Sequence, residues 1–150
     1  MPACRMSSVT AVAGERDSEQ RALRVFLADA AGDNWTELTA GHGRVQRLTA
    51  PDLQRAQRAR AGLNNDVAAI LDLAVFVADD FRSAREHFRK DPDLLRYAGT
   101  LNGLAGLVSD IFVAGVADGV TLIPAVAGVD VRAAAQTVLA RLSSRLPVAA

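Results

Sequence analysis

The chain has 150 residues, half of them hydrophobic, with 17 basic and 17 acidic side chains and no net formal charge. That length supports one globular domain with a core large enough to stand without metal or disulfide. The balanced charge argues against a disordered polyelectrolyte or a nucleic-acid-binding surface, and the single cysteine, Cys4, rules out a disulfide or thiolate metal framework within one chain.

The opening run MPACRMSSVTAVAG shows no periodicity and lacks the apolar core of roughly 7 to 15 residues that a signal peptide needs. Residues 1–20 are expected to be a flexible segment ahead of a single α/β domain over 21–150, in a cytoplasmic protein. The most apolar stretches, 67–78 and 104–117, are broken by Asp72 and by Ser109 and Asp110. Both fall short of the roughly 20 residues that cross a bilayer, so no membrane partner is expected.

LRVFL at Leu23–Leu27 reads as a short strand, or as the end of a helix begun in ERDSEQRA. The glycine-rich segment to Gly43 reads as a loop with one helical turn around Trp35–Leu38, the lone tryptophan serving as a packing residue. Thr49-Ala50-Pro51-Asp52 predicts a helix over 51–62, with Thr49 accepting backbone N–H groups and Pro51 in the first turn. Arg44, Arg47, Arg55, Arg58 and Arg60 surround its thin apolar stripe; phosphate binding is one reading, but without the aromatic interleaving and net positive charge of a nucleic-acid surface they are expected to form a solvated arginine face.

Val67–Ala78, VAAILDLAVFVA, predicts a strand covered on both faces in a parallel sheet. A carboxylate in such a strand must be hydrogen-bonded, paired or placed at a functional opening; the plain expectation puts Asp72 near a strand end or at the cap of a neighbouring helix. Asp79 and Asp80 start the next helix, whose apolar face is Phe81, Ala84 and Phe88, with His87 on the solvent side. Asp91-Pro92-Asp93 ends it.

Leu94–Tyr97 predicts another short strand. Gly99-Thr100 then turns into a helix carrying Leu101, Leu104, Val108, Ile111 and Phe112 on one face, closed by Gly115 and Gly119. Val120–Ile123 forms a buried strand that Pro124 stops, and Asp130 opens a last helix with Val131, Ala134, Ala135, Val138, Leu142 and Leu146 inward. Strands alternating with covering helices imply parallel pairing with right-handed crossovers.

Residues 65–146 resemble the carboxyl-terminal part of the bacterial-luciferase-like, flavin-dependent monooxygenases. VAAILDLAVFVADD matches in type their strand with an acidic helix start. RYAGT at 96–100 matches their Gly-Thr turn, with Leu101 where they usually have proline. AGVADGVTLIP at 114–124 matches their helix end, apolar strand and proline, and VLARLSSRL their closing helix. The resemblance implies a partial (β/α)8, TIM-like barrel of about four βα units, whereas a whole barrel takes about 250 residues.

It further implies an oxidoreductase using FMN, or a deazaflavin, as cofactor and acting on a small-molecule substrate. A homo-oligomer or a partner chain would complete the barrel. The alternative is a non-catalytic α/β interaction module descended from such an enzyme. Ligands of these barrels meet the loops after the strands, and phosphate often binds at a helix N-terminus. Tyr97, Gly99 and Thr100 are therefore the candidate cofactor-binding residues, set against ordinary turn and cap chemistry at the same positions. No residue stands out as catalytic or metal-ligating, and neither His42 nor His87 falls in a matching motif.

Overall fold

The computed structural model describes residues 21–78, 82, 93–126 and 128–149. Within them run β1 (Arg24–Leu27), β2 (Thr36–Glu37), β3 (Arg44–Leu48), α1 (Leu53–Ala61), β4 (Val67–Val77), β5 (Leu95–Gly99), α2 (Leu101–Val113), β6 (Gly119–Pro124) and α3 (Val131–Leu142). The expected helix after Asp79 lies outside the described residues apart from Arg82, as do His87, Cys4 and the segment 1–20. Among the described residues no helix is long and apolar enough to cross a membrane.

β4 organises the sheet. Its 11 residues are rich in β-branched and aliphatic side chains, and the centre of the strand is buried throughout. β6 lies parallel along one edge, from Ile70↔Gly119 to Val75↔Pro124. The other edge is shared, with β3 parallel against Val67–Leu71 and β5 parallel against Leu73–Val77. β1 pairs in parallel with β6, and the two-residue β2 runs antiparallel on β1. The result is a curled, mostly parallel, open sheet resembling half of a barrel wall. Its order does not follow the chain, because β4 separates β5 from β6 although α2 joins them directly.

Alternation along the strands sorts the two faces. Leu23, Val25 and Leu27, Leu71, Leu73 and Val75, and Val120 and Leu122 form one core with Leu104, Val108, Ile111 and Phe112 of α2 and Ala134, Ala135, Val138 and Leu142 of α3. Ala56 brings α1 into the same cluster. The intervening residues Phe26, Ile70, Asp72, Ala74, Thr121 and Ile123 face the other way and are also buried. Burial on both sides is what the nearly continuous apolar run of β4, interrupted only by Asp72, predicts.

The helix starts follow their caps. Thr100 and Asp130 accept the Gly103 and Ala133 amides, as expected at these positions. α1 is capped by Asp52 through the Arg55 amide, not by Thr49. Thr49 lies on the strand side of Pro51, and its hydroxyl donates to Asp72 instead.

Two further expectations are corrected. Trp35–Leu38 forms no helical turn: Thr36 and Glu37 are extended, drawn into pairing with Leu27 and Phe26. Arg44–Leu48 is a strand that the local sequence conceals, because RVQRL is mostly polar and lies on an edge where β4 supplies the backbone partners.

The glycines of AGVADG serve different ends. Gly115 has φ +73°, a left-handed helix exit that suits glycine. A Cβ on Gly119 would run into the carbonyl oxygen of Arg24 and lie 3.0 Å from Ile70 Cδ1, so here glycine permits the close approach of β6 to β1. Gly119→Ala should therefore destabilise the fold by about 3 kcal/mol, the upper end for overpacking because the obstacle is backbone. Urea unfolding measures this, and a loss below about 0.5 kcal/mol would show that the strands separate easily.

Candidate functional site

The carboxyl ends of the parallel strands hold the residues singled out from the sequence. Tyr97 points to the helix-covered face and packs against its core. Its hydroxyl donates to the Thr100 carbonyl at 2.8 Å and sits where a side chain on either Gly99 or Gly103 would collide with it. Burial pushes the phenol above its ordinary 10.0, outweighing the opposing effect of the Thr100 hydrogen bond, so Tyr97 remains a proton donor. Tyr97, Gly99 and Thr100 thus form one compact unit that fixes the strand-to-helix turn.

Beside this turn lies a cavity of about 390 Å³ between the end of β4, the segment after β6 and the starts of α2 and α3; Tyr97, Gly99 and Thr100 support its rim and are not among its lining residues. Phe76, Val77, Leu101, Val126 and Val129 give it apolar walls. In α2 the Thr100 hydroxyl and carbonyl accept the Gly103 and Leu104 amides. The Leu101 and Asn102 amides have no acceptor inside the helix. In α3 the Asp130 carboxylate occupies the equivalent position and adds negative charge. An anionic group at this end is matched by α2 and opposed at α3.

The second sheet face carries a polar row that local sequence reading resolves only in part. Register aligns Glu37, Phe26, Thr121 and Asp72 across β2, β1, β6 and β4. Asp72 lies mid-strand, not at an end or a helix cap: Arg47 Nε donates to it at 2.7 Å and Thr49 Oγ1 at 3.1 Å. The Arg47 guanidinium stands 5.6 Å from the ring of Trp35, whose indole N–H donates to Thr121 Oγ1 at 2.8 Å. Trp35 stacks on Phe26 with centroids 4.4 Å apart, the packing role expected of it.

At the other end of the row, Arg24 donates to both oxygens of Glu37, at 3.0 and 2.7 Å. Burial works to raise the Glu37 pKa. Hydrogen bonds from Arg24, Thr39 and the Gly41 amide, with the Arg24 charge, outweigh it and hold the carboxyl below its ordinary 4.5.

The amino ends of the strands are tied by Asp118, buried just before β6. It accepts from the Ala69 amide of β4 at 2.8 Å and from Arg60 of α1 through Nη2 at 2.9 Å and Nε at 3.3 Å, and it pairs with Arg21 at 3.5 Å. Arg47 and Arg60 are therefore structural partners of buried carboxylates, a correction to the solvated arginine face, which keeps only its more exposed members such as Arg55 and Arg58. Sequence reading missed Asp118 because its partners are remote; its position before an all-buried strand was the one available signal.

No family model matches the chain, and no curated protein matches it.

Glu37 gives the site a pH signature. Its folded pKa is depressed, so its stabilising contribution is complete above the ordinary 4.5 and is lost as pH falls through the lowered value. The stability gap between wild type and Glu37→Gln should be constant near neutrality and narrow below about pH 4.5. Urea midpoints across that range test it, and a gap unchanged down to about pH 3 would refute the assignment.

Proposed function

We propose that this chain is a ligand-binding α/β half-barrel whose site lies at the carboxyl end of β4, beside the turns that follow β5 and β6. The proposed ligand is FMN, in an oxidoreductase resembling the luciferase-like flavin-dependent monooxygenases. The observation that carries the reading is the cavity flanked by two helix N-termini at the strand ends, the position where α/β barrels hold phosphorylated ligands. Its volume of about 390 Å³ is within the range of small-molecule sites, roughly 300 to 1,000 Å³.

The residues fit an amphipathic cofactor. Phe76, Val77, Leu101, Val126 and Val129 suit a flat aromatic ring. The Leu101 amide in the wall, with the Asn102 amide beside it in the first turn of α2, suits phosphate oxygens at the positive end of that helix. Asp130 directs the phosphate to α2 by repelling it from α3. Thr100 and Tyr97 hold the turn that presents those amides. When bound, FMN would supply the redox chemistry with oxygen, which this chain's side chains do not.

The TIM-like assignment rests on parallel pairing, curl and the resemblance over 65–146. Strand order is the point of departure, since a barrel wound in chain order would place β5 beside β6. A second chain, identical or not, completes the wall in this reading.

The second reading, a non-catalytic interaction module, is favoured by the edges. Among the described residues, β2 on one side and β3 with β5 on the other have no strand beyond them. Unpaired edges are templates for association.

Titration of the chain with FMN, followed by flavin fluorescence, decides between them. Saturable micromolar binding is expected. Thr100→Ala should weaken it while costing about 1 kcal/mol of stability as a lost cap. Asn102→Asp should keep or slightly raise stability, because an acid suits a helix start, yet weaken FMN about fivefold and leave riboflavin unchanged. No saturation up to millimolar FMN would eliminate the flavin reading and leave the interaction module.

A further inference from the structure

A second cavity lies at the opposite end of the sheet from the proposed flavin site. It measures about 960 Å³ and opens where β1, β3, β4 and β6 begin, with Arg21, Arg24, Arg44, Arg60, Asn64 and Asn65 around it. This volume is also within the roughly 300 to 1,000 Å³ of small-molecule sites. The amino ends of barrel strands ordinarily serve stability. Here the ion pairs do so and leave cationic capacity over.

The guanidinium groups are unequally committed. Arg24 is buried and spent, with three of its nitrogens on Glu37 and the His42 carbonyl. Arg21 and Arg60 share one carboxylate: Arg21 Nε and Arg60 Nη2 both meet Oδ1 of Asp118. Arg21 is further committed, since its Nη2 donates to the Phe112 carbonyl and its guanidinium lies 4.1 Å from the centre of the Phe112 ring. The same carboxylate also accepts the Ala69 amide, so its lone pairs are filled. Arg60 Nη1 has no acceptor among the described residues. Arg44 keeps only a loose 3.6 Å pair with Asp66, at 74% and 65% side-chain exposure, which holds it weakly in water.

Among the described residues around the cavity, four arginines are thus set against three carboxylates, Asp66 and Asp118 in its wall and Glu37 behind Arg24. One positive charge is surplus, in a recess where guanidinium forks and the two asparagine amides offer donors. Arginine forks match the geometry of phosphate and carboxylate oxygens.

We infer that this amino-end cavity binds a small organic oxyanion, a phosphate monoester or a carboxylate about the size of a nucleotide, through Arg44 and Arg60 with Asn64 and Asn65 reading its polar body. The site is distinct from the carboxyl-end cavity and does not depend on the flavin reading. The anion completes the coordination of Arg60, whose carboxylate partner Asp118 is shared with Arg21. It displaces the loose Arg44–Asp66 pair.

Calorimetric titration of the full chain with inorganic phosphate, AMP and citrate tests the inference, with Arg44→Gln and Arg60→Gln as variants. At least one probe should bind saturably, and the comparison of phosphate with citrate tells which oxyanion is preferred. Binding should fall roughly fivefold in Arg44→Gln, which leaves the core untouched, and weaken in high salt. It should survive Asn102→Asp, separating this site from the other. If Arg60→Gln fails to fold, Arg44→Gln alone decides. The absence of saturation with all three probes up to tens of millimolar, or equal binding in every folded variant, would overturn the assignment.

Discussion

Everything in this fold leans on β4. An 11-residue strand buried on both faces must find parallel partners on both edges and apolar cover above and below, because backbone amides and carbonyls left unpaired there would each cost on the order of 1–3 kcal/mol. β6 supplies one edge in a single piece, whereas the other edge is divided between β3 and β5, with Asp72 at the junction. The buried carboxylate at that junction needs Arg47 and Thr49, which lie at and just beyond the end of β3. The position of β3, the path into α1 and the electrostatics of β4 are thus one problem with one solution.

Two aspartates anchor the sheet at different heights. Asp72 holds β3 to β4 on the face away from the core, and Asp118 holds β6 to β4, α1 and the residues before β1. Replacing either with an apolar residue of similar size would leave arginines whose burial had been compensated, which is the costly way to break a buried pair. The cavities at the two ends of the sheet inherit their character from this division. Asp118 gathers arginines at the amino ends. The carboxyl ends have apolar walls and backbone amides.

The parts of the fold legible in the sequence are those whose signal is local. β4 and β6 announce themselves as apolar runs, and α2 and α3 by helical spacing after Thr100 and Asp130. β3 was hidden because three of its five residues, Arg44, Gln46 and Arg47, are polar, and β2 because two residues carry no pattern until β1 lies beside them. At the site, the turn Tyr97–Thr100 was legible as a turn. The contacts that give the arginines their roles, Arg47 with Asp72 and Arg60 with Asp118, span 25 and 58 residues. Nothing within a helical or strand period reports on such pairs, so an arginine-rich stretch read locally looks solvated.

The placement of β6 between β1 and β4 governs how the chain can be made. β1 precedes the other described strands along the chain, yet its parallel neighbour begins at Gly119, 95 residues after Arg24. Until β6 emerges, β1 and β4 have no common partner, and the slot between them must stay unfilled while α1, β5 and α2 take shape. Contacts of such long sequence separation slow folding and prolong the exposure of apolar strands. Assembly from the ribosome is therefore completed in the middle of the sheet, with the last strand inserted as its keystone.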